Sequence, residues 1–187
     1  MLTRRAFLNA GGLALAGGLI PGLRRAAAAA DVVEVRMRSD PDGAHVGFDP
    51  VGLLIRPGQT VRWVLEANVH TTTAYHPDNG GHCLRIPAAA RPWDSGYLTE
   101  PGSRFEMTFT VEGTYDYFCA PHEAAGMVGR IIVGRPGGPG SLAFDYFRDD
   151  PAKRDWLPVP PAAQRAFPEP SEILAKGRVA LALAGGH

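Results

Sequence analysis

The stretch TYDYFCAPHEAAGMVGRIIVG, residues 114–134, decides how this chain is read. Its two flanks, TYDYF and MVGRIIVG, are aromatic and β-branched and read as strands. Between them Cys119, His122 and Met127 follow one another at spacings of two and then four intervening residues. A loop leaving one strand and entering the next can turn three such side chains back to one point at the end of a sandwich. A thiolate, an imidazole and a thioether are the wrong donors for calcium or magnesium, which take oxygen. Structural zinc sites want further Cys or His, and Met is rare in them. One cysteine and two histidines in a trigonal set, with a weak axial methionine, make a blue-copper centre.

That set needs a second histidine from elsewhere in the chain. VRWVLEANVHTTTAY, residues 61–75, supplies His70 directly after a strand, and His76 stands six residues further on as the other candidate. Asn68 and Thr71 flank His70 and can hydrogen-bond around such a site, as the outer partners of metal ligands do. Other readings compete with the metal. Two cysteines in an exported chain suggest a Cys83–Cys119 disulfide, and His122 and Met127 can be packing residues. His45 and His82 read as loop residues, with His82 beside Cys83 a weak signal for a second metal. With Cys119 on the metal, Cys83 is expected to be a buried free thiol.

Upstream the chain is almost wholly β. VVEVRM is apolar and β-branched, and GLLIRPGQTVRWVLE reads as two strands joined at Pro57-Gly58. RFEMTFTV places Phe105, Met107, Phe109 and Val111 on one side, the period of a half-buried strand. Short strands, Gly/Pro turns and no convincing helix predict an antiparallel sandwich. The pattern lapses over 76–103, which reads as a long inserted loop packed down by Trp93 and Tyr97. After Gly134 the composition breaks at RPGGPGS. The Pro-rich extension over 135–187 is expected to wrap the domain, mostly without regular structure. Its SEILAK carries a helical turn, with Ser171 as its cap and Gly177 as its end.

The N-terminus places a twin arginine, Arg4 and Arg5, before a weakly apolar stretch and an alanine-rich cleavage region. Residues 1–30 therefore read as a Tat-type signal peptide of a periplasmic protein, the alternative being an uncleaved membrane anchor. The whole chain of 187 residues balances 19 basic against 19 acidic side chains. Removing the leader's arginines leaves a modest acidic excess, so no basic stripe suits nucleic acid.

The 114–134 stretch resembles the copper loop of plastocyanins and pseudoazurins, members of the cupredoxin family, and FDPVGLLIRPGQTVRWV followed by a histidine is similar to the family's earlier strands and first ligand. The resemblance covers about residues 32–134, within a domain placed at 31–134. It implies a Greek-key β-sandwich holding one type 1 copper through His70, Cys119, His122 and Met127. Thr71 stands where plastocyanins often carry asparagine. The implied role is electron carriage between transient redox partners, a cytochrome or another copper protein, by a monomer with no catalytic activity. A copper-delivery protein without electron-transfer duty is the alternative. A multicopper oxidase or nitrite reductase would need further copper domains and histidine pairs.

Overall fold

The computed structural model describes residues 32–182. The leader read at 1–30 lies outside them, as do the last residues of the extension. Strands β1 (Val32–Ser39), β2 (Val46–Asp49), β4 (Thr60–Leu65) and β6 (Arg104–Thr108) form one sheet in the order β2-β1-β4-β6. The second sheet runs β5-β7-β8-β3-β9 and is built from β3 (Gly52–Ile55), β5 (Thr73–Ala74), β7 (Gly113–Phe118), β8 (Val128–Val133) and β9 (Arg178–Val179).

The predicted sandwich is present, but it is mixed rather than antiparallel. β1 pairs with β4 in parallel, and so does β3 with β8. The sequence hides this because β3 and β4, although joined by the tight Pro57-Gly58 turn, enter different sheets. Each then finds a parallel neighbour from a distant part of the chain.

Strand β4 shows the alternation of a one-sided strand, with Val61, Trp63 and Leu65 buried between the sheets. Trp63 sits amid an aromatic cluster, 5.4 Å from Tyr117, 5.8 Å from Trp93 and 6.3 Å from Phe109 between ring centroids. Gly129 lies opposite Tyr117 across β7 and β8. A Cβ there would fall 2.3 Å from the Tyr117 ring, so only glycine lets that ring lie across the strand.

β7 and β8 are buried at every position. Their odd-numbered residues, among them Tyr115, Tyr117, Ile131 and Val133, join the core between the sheets. Their outer face is covered by the C-terminal extension, where Phe118 and Val128 meet Phe147, Val159, Ala163 and Phe167 in a second apolar cluster. On the same face Asp116, at 0% exposure, is held by Arg85 at 2.7 Å and by Arg130 at 2.7 and 3.0 Å. The two arginines reach on into the extension. Arg85 donates to the carbonyls of Gly140 and Leu142 and Arg130 to that of Pro168, and they stack on Phe144 and Phe167.

Three further readings of the sequence are corrected in the extension and the inserted segment. Among its described residues the extension contains two α-helices, α1 (Pro161–Ala166) and α2 (Pro170–Lys176), besides two short 3-10 turns, and only the second α-helix was expected. α2 does end at Gly177, whose φ is 71°, but its N-cap is Glu169 rather than Ser171, because Pro170 already has the fixed φ of a first helical residue. In the 76–103 segment Trp93 is buried as expected, whereas Tyr97 is 66% exposed.

Candidate metal centre

Cys119 is the first residue beyond β7, and Met127 the last before β8. Between them the chain makes a 3-10 helix, Ala120–Ala125, with Pro121 in its first turn. Four backbone bonds close the loop: Cys119 N–H to Met127 O at 3.0 Å, His122 N–H to Cys119 O at 2.9 Å, Met127 N–H to His122 O at 3.1 Å and Gly126 N–H to Glu123 O at 2.9 Å. Gly126 makes the return with φ 88°, a left-handed conformation natural to glycine. The turn sets Cys119 and Met127 opposite each other, and both join the core at 0% exposure.

His70 arrives from the other sheet. The chain leaves β4 and turns at Asn68, whose φ is 65°. It then forms a two-way backbone bridge between His70 and Leu98, at 3.2 and 2.9 Å. The inserted segment thus holds His70 in place. The ring is fully buried, with Nδ1 3.1 Å from His122 Nδ1 and 3.5 Å from Cys119 Sγ. His122 Nδ1 lies 3.4 Å from the same sulfur. Nitrogen and sulfur donors bound about 2.0–2.3 Å from one ion stand roughly 3–4 Å from each other. The triangle of Sγ and two Nδ1 atoms has the size and chemistry of a single metal site. It is the one such His/Cys/Asp/Glu group among the described residues.

Electrostatics points the same way. Burial pushes the Cys119 thiol up to about 11, against the opposing pull of its hydrogen bonds from the Thr71 and His122 backbones. Burial, with the nearby His122, brings His70 down to about 4, and burial also lowers His122. Without metal the pocket therefore holds a neutral thiol and two neutral rings. A cation supplies the charge that stabilises a buried thiolate, and binding releases its proton.

The surroundings are specific to this chain. The Thr71 N–H points at Cys119 Sγ, 3.3 Å away, and its Oγ1 accepts the Ala120 N–H at 2.8 Å. That hydroxyl meets Thr73 Oγ1 at 2.9 Å, which donates to Asp94. Threonine therefore ties the two ligand-bearing segments together at the position where the resemblance left the hydrogen bonding open. Asn68 takes no part; its Oδ1 accepts the next residue's N–H. Glu123, immediately after His122, accepts from Tyr75 Oη at 2.7 Å and meets His82 Nε2 at 3.2 Å, which anchors the loop to the inserted segment. His82 is thus more than a loop residue. Although burial opposes its charge, the bonds to Glu123 and the Asn79 carbonyl raise its pKa. Ser39, whose hydroxyl lies 2.9 Å from His70 Nε2, was missed entirely. It is 31 positions away in sequence, and nothing local marks it.

The remaining candidates fall away from the cluster. His76 Nδ1 accepts the Asp78 N–H, and His45 pairs with Asp40. Both cysteines are free, which removes the disulfide, and Cys83 is buried in the second apolar cluster as the sequence suggested. Ala120, Pro121, Ala124 and Ala125 are exposed around the half-buried His122. Gly126, by contrast, is partly buried against α1. A Cβ on it would lie 3.4 Å from Ala162 O and from Ala166 Cβ.

A two-sheet sandwich with one cysteine, two histidines and a buried methionine gathered at its end defines a cupredoxin. Comparison with known proteins agrees. Residues 34–134 match the family model described as copper binding proteins, plastocyanin/azurin family. A plastocyanin from Synechococcus is 36% identical over 119 residues, 63% of this chain and 84% of that protein. A pseudoazurin from Methylorubrum extorquens is 30% identical over 136 residues, 72% of this chain and 80% of the relative. Among solved structures, the pseudoazurin of Hyphomicrobium denitrificans shares the fold at TM-score 0.50 and 23% identity, covering 72% of this chain and 91% of that one. The chain belongs to the plastocyanin/azurin family of copper-binding proteins. Its cofactor is copper.

Proposed function

We propose that this protein is a periplasmic single-electron carrier whose one type 1 copper would be held by His70, Cys119 and His122, with Met127 as a weaker fourth ligand. The convergence of Cys119 Sγ and two Nδ1 atoms at the end of a rigid sandwich carries this reading. Copper in such a set supplies the Cu(II)/Cu(I) couple. The chain supplies the rest. Thr71 and the backbone bonds of the 119–127 loop hold the donor-bearing segments together, and burial of His70, Cys119 and Met127 excludes water. Four donors leave no open position for a substrate, which favours a carrier over an enzyme. His122 is the ligand nearest solvent, and the small exposed residues of its loop suit a brief encounter with a redox partner, the small class of protein interface. Export rests on the twin-arginine leader. Among the described residues no helix is long and apolar enough to cross a membrane.

The deciding measurement is the visible spectrum of the oxidised, copper-loaded protein together with its electron exchange with a periplasmic cytochrome. An intense thiolate-to-copper absorption that bleaches on reduction, with rapid exchange, is expected. A colourless Cu(II) form overturns the ligand set. Colour with slow exchange and easily lost copper would instead assign the protein to copper delivery.

Met127→Leu is expected to keep a coloured copper site but to raise its reduction potential. Removing a weak axial donor destabilises Cu(II) more than Cu(I), and potentiometric titration reads the difference. Complete loss of copper in this variant would mean that Met127 is a strong ligand and the geometry is not trigonal.

A further inference from the structure

The His70 ring has two nitrogens in different surroundings. Nδ1 faces Cys119 Sγ and His122 Nδ1, while Nε2 faces the hydroxyl of Ser39, the last residue of β1. The ring is fully buried, so each nitrogen has to be satisfied inside the protein. A lone pair on Nδ1, the form that binds metal, requires the proton on Nε2. That N–H then donates to Ser39 Oγ. The opposite tautomer places the proton on Nδ1, where it bonds to the sulfur or to the second ring and blocks the metal.

We infer that Ser39 is the positioning residue that selects the Nε2–H tautomer of His70 and holds its ring edge-on to the metal site. The inference rests on the copper reading for its consequence, though not for the tautomer itself. Ser39 is placed by long-range pairing. It closes β1 opposite Val46 of β2, while His70 is fixed by its bridge to Leu98, so two separately anchored segments set the 2.9 Å contact. Removing the hydroxyl leaves a buried N–H without a partner, a strongly disfavoured state. The ring then moves toward the blocking tautomer or turns. The bond also makes the imidazole a better donor, as outer partners of metal-bound histidines do. Its loss therefore weakens Cu(II) more than Cu(I).

The test compares wild type with Ser39→Ala and Ser39→Thr. Threonine keeps the hydroxyl and suits a strand. In the metal-free protein, nitrogen chemical shifts of His70 are expected to show the Nε2–H tautomer in wild type and Ser39→Thr, and a mixture or the other tautomer in Ser39→Ala. On copper loading, Ser39→Ala is expected to lose about 10–100-fold in Cu(II) affinity, restored by threonine. Each tenfold loss not matched in Cu(I) raises the potential by about 59 mV. An unchanged tautomer together with Cu(II) affinity within about twofold of wild type in Ser39→Ala overturns the assignment. So does a Ser39→Thr variant that resembles Ser39→Ala. A wild-type protein without the thiolate–copper absorption would instead overturn the copper reading, and the tautomer comparison would still decide the role of Ser39.

Discussion

Cys119→Ser is expected to abolish the intense visible absorption and to lower copper affinity well beyond the roughly 10–100-fold loss that follows removal of an outer partner. A hydroxyl in place of the sulfur offers a hard, weakly acidic oxygen where the site is built around a soft thiolate. The fold should survive, because Cys119 is one small side chain in a large core and serine preserves its shape. Cys83→Ser is the control. Cys83 lies in the second apolar cluster under the C-terminal extension, and burial pushes its thiol up to about 11, which makes it unreactive. Its replacement should leave the spectrum intact. If Cys119→Ser retained the absorption, or Cys83→Ser lost it, the sulfur at the metal would be misassigned.

The second large effect is on stability and lies away from the metal. Asp116→Ala is expected to destabilise the protein by about 3–5 kcal/mol, because it leaves the buried Arg85 and Arg130 cations without their carboxylate. In a chain of this length that corresponds to a Tm lower by roughly 6–20 °C in calorimetry. The two arginines also grip the carbonyls of Gly140, Leu142 and Pro168, so early proteolysis of the extension should accompany the loss. Arg36→Ala, which removes exposed ion pairs to Glu34 and Glu66, should cost less than about 1 kcal/mol. Equal effects of the two substitutions would mean that the buried arginines find other partners and that Asp116 is not what holds the extension.

Much of the site was legible because three of its four proposed ligands lie within nine consecutive residues. Donor chemistry and loop spacing are local properties, and Cys119, His122 and Met127 needed only a loop between two strands. His70 was harder, since His76 offered the same ring. The geometry separates them through the His70–Leu98 bridge, a pairing across 28 residues that no local pattern announces.

Composition and period two were enough to determine an all-β sandwich, the soft donor set and the copper it implies, because side-chain chemistry and strand alternation are written residue by residue. The tertiary structure decided what depends on pairing between distant segments. It set β1 beside β4 and β3 beside β8 in parallel, and it covered the outer face of β7 and β8 with the extension, so that Asp116, polar in the sequence, became a buried anchor. It also brought the hydroxyl of Ser39 to His70 Nε2. A strand's sequence records which residues alternate, but what covers its second face and which strand lies beside it are settled by the whole chain at once. For that reason the donor residues of the loop and their neighbour Thr71 could be named as candidates in advance, while a partner from a distant strand such as Ser39 could not.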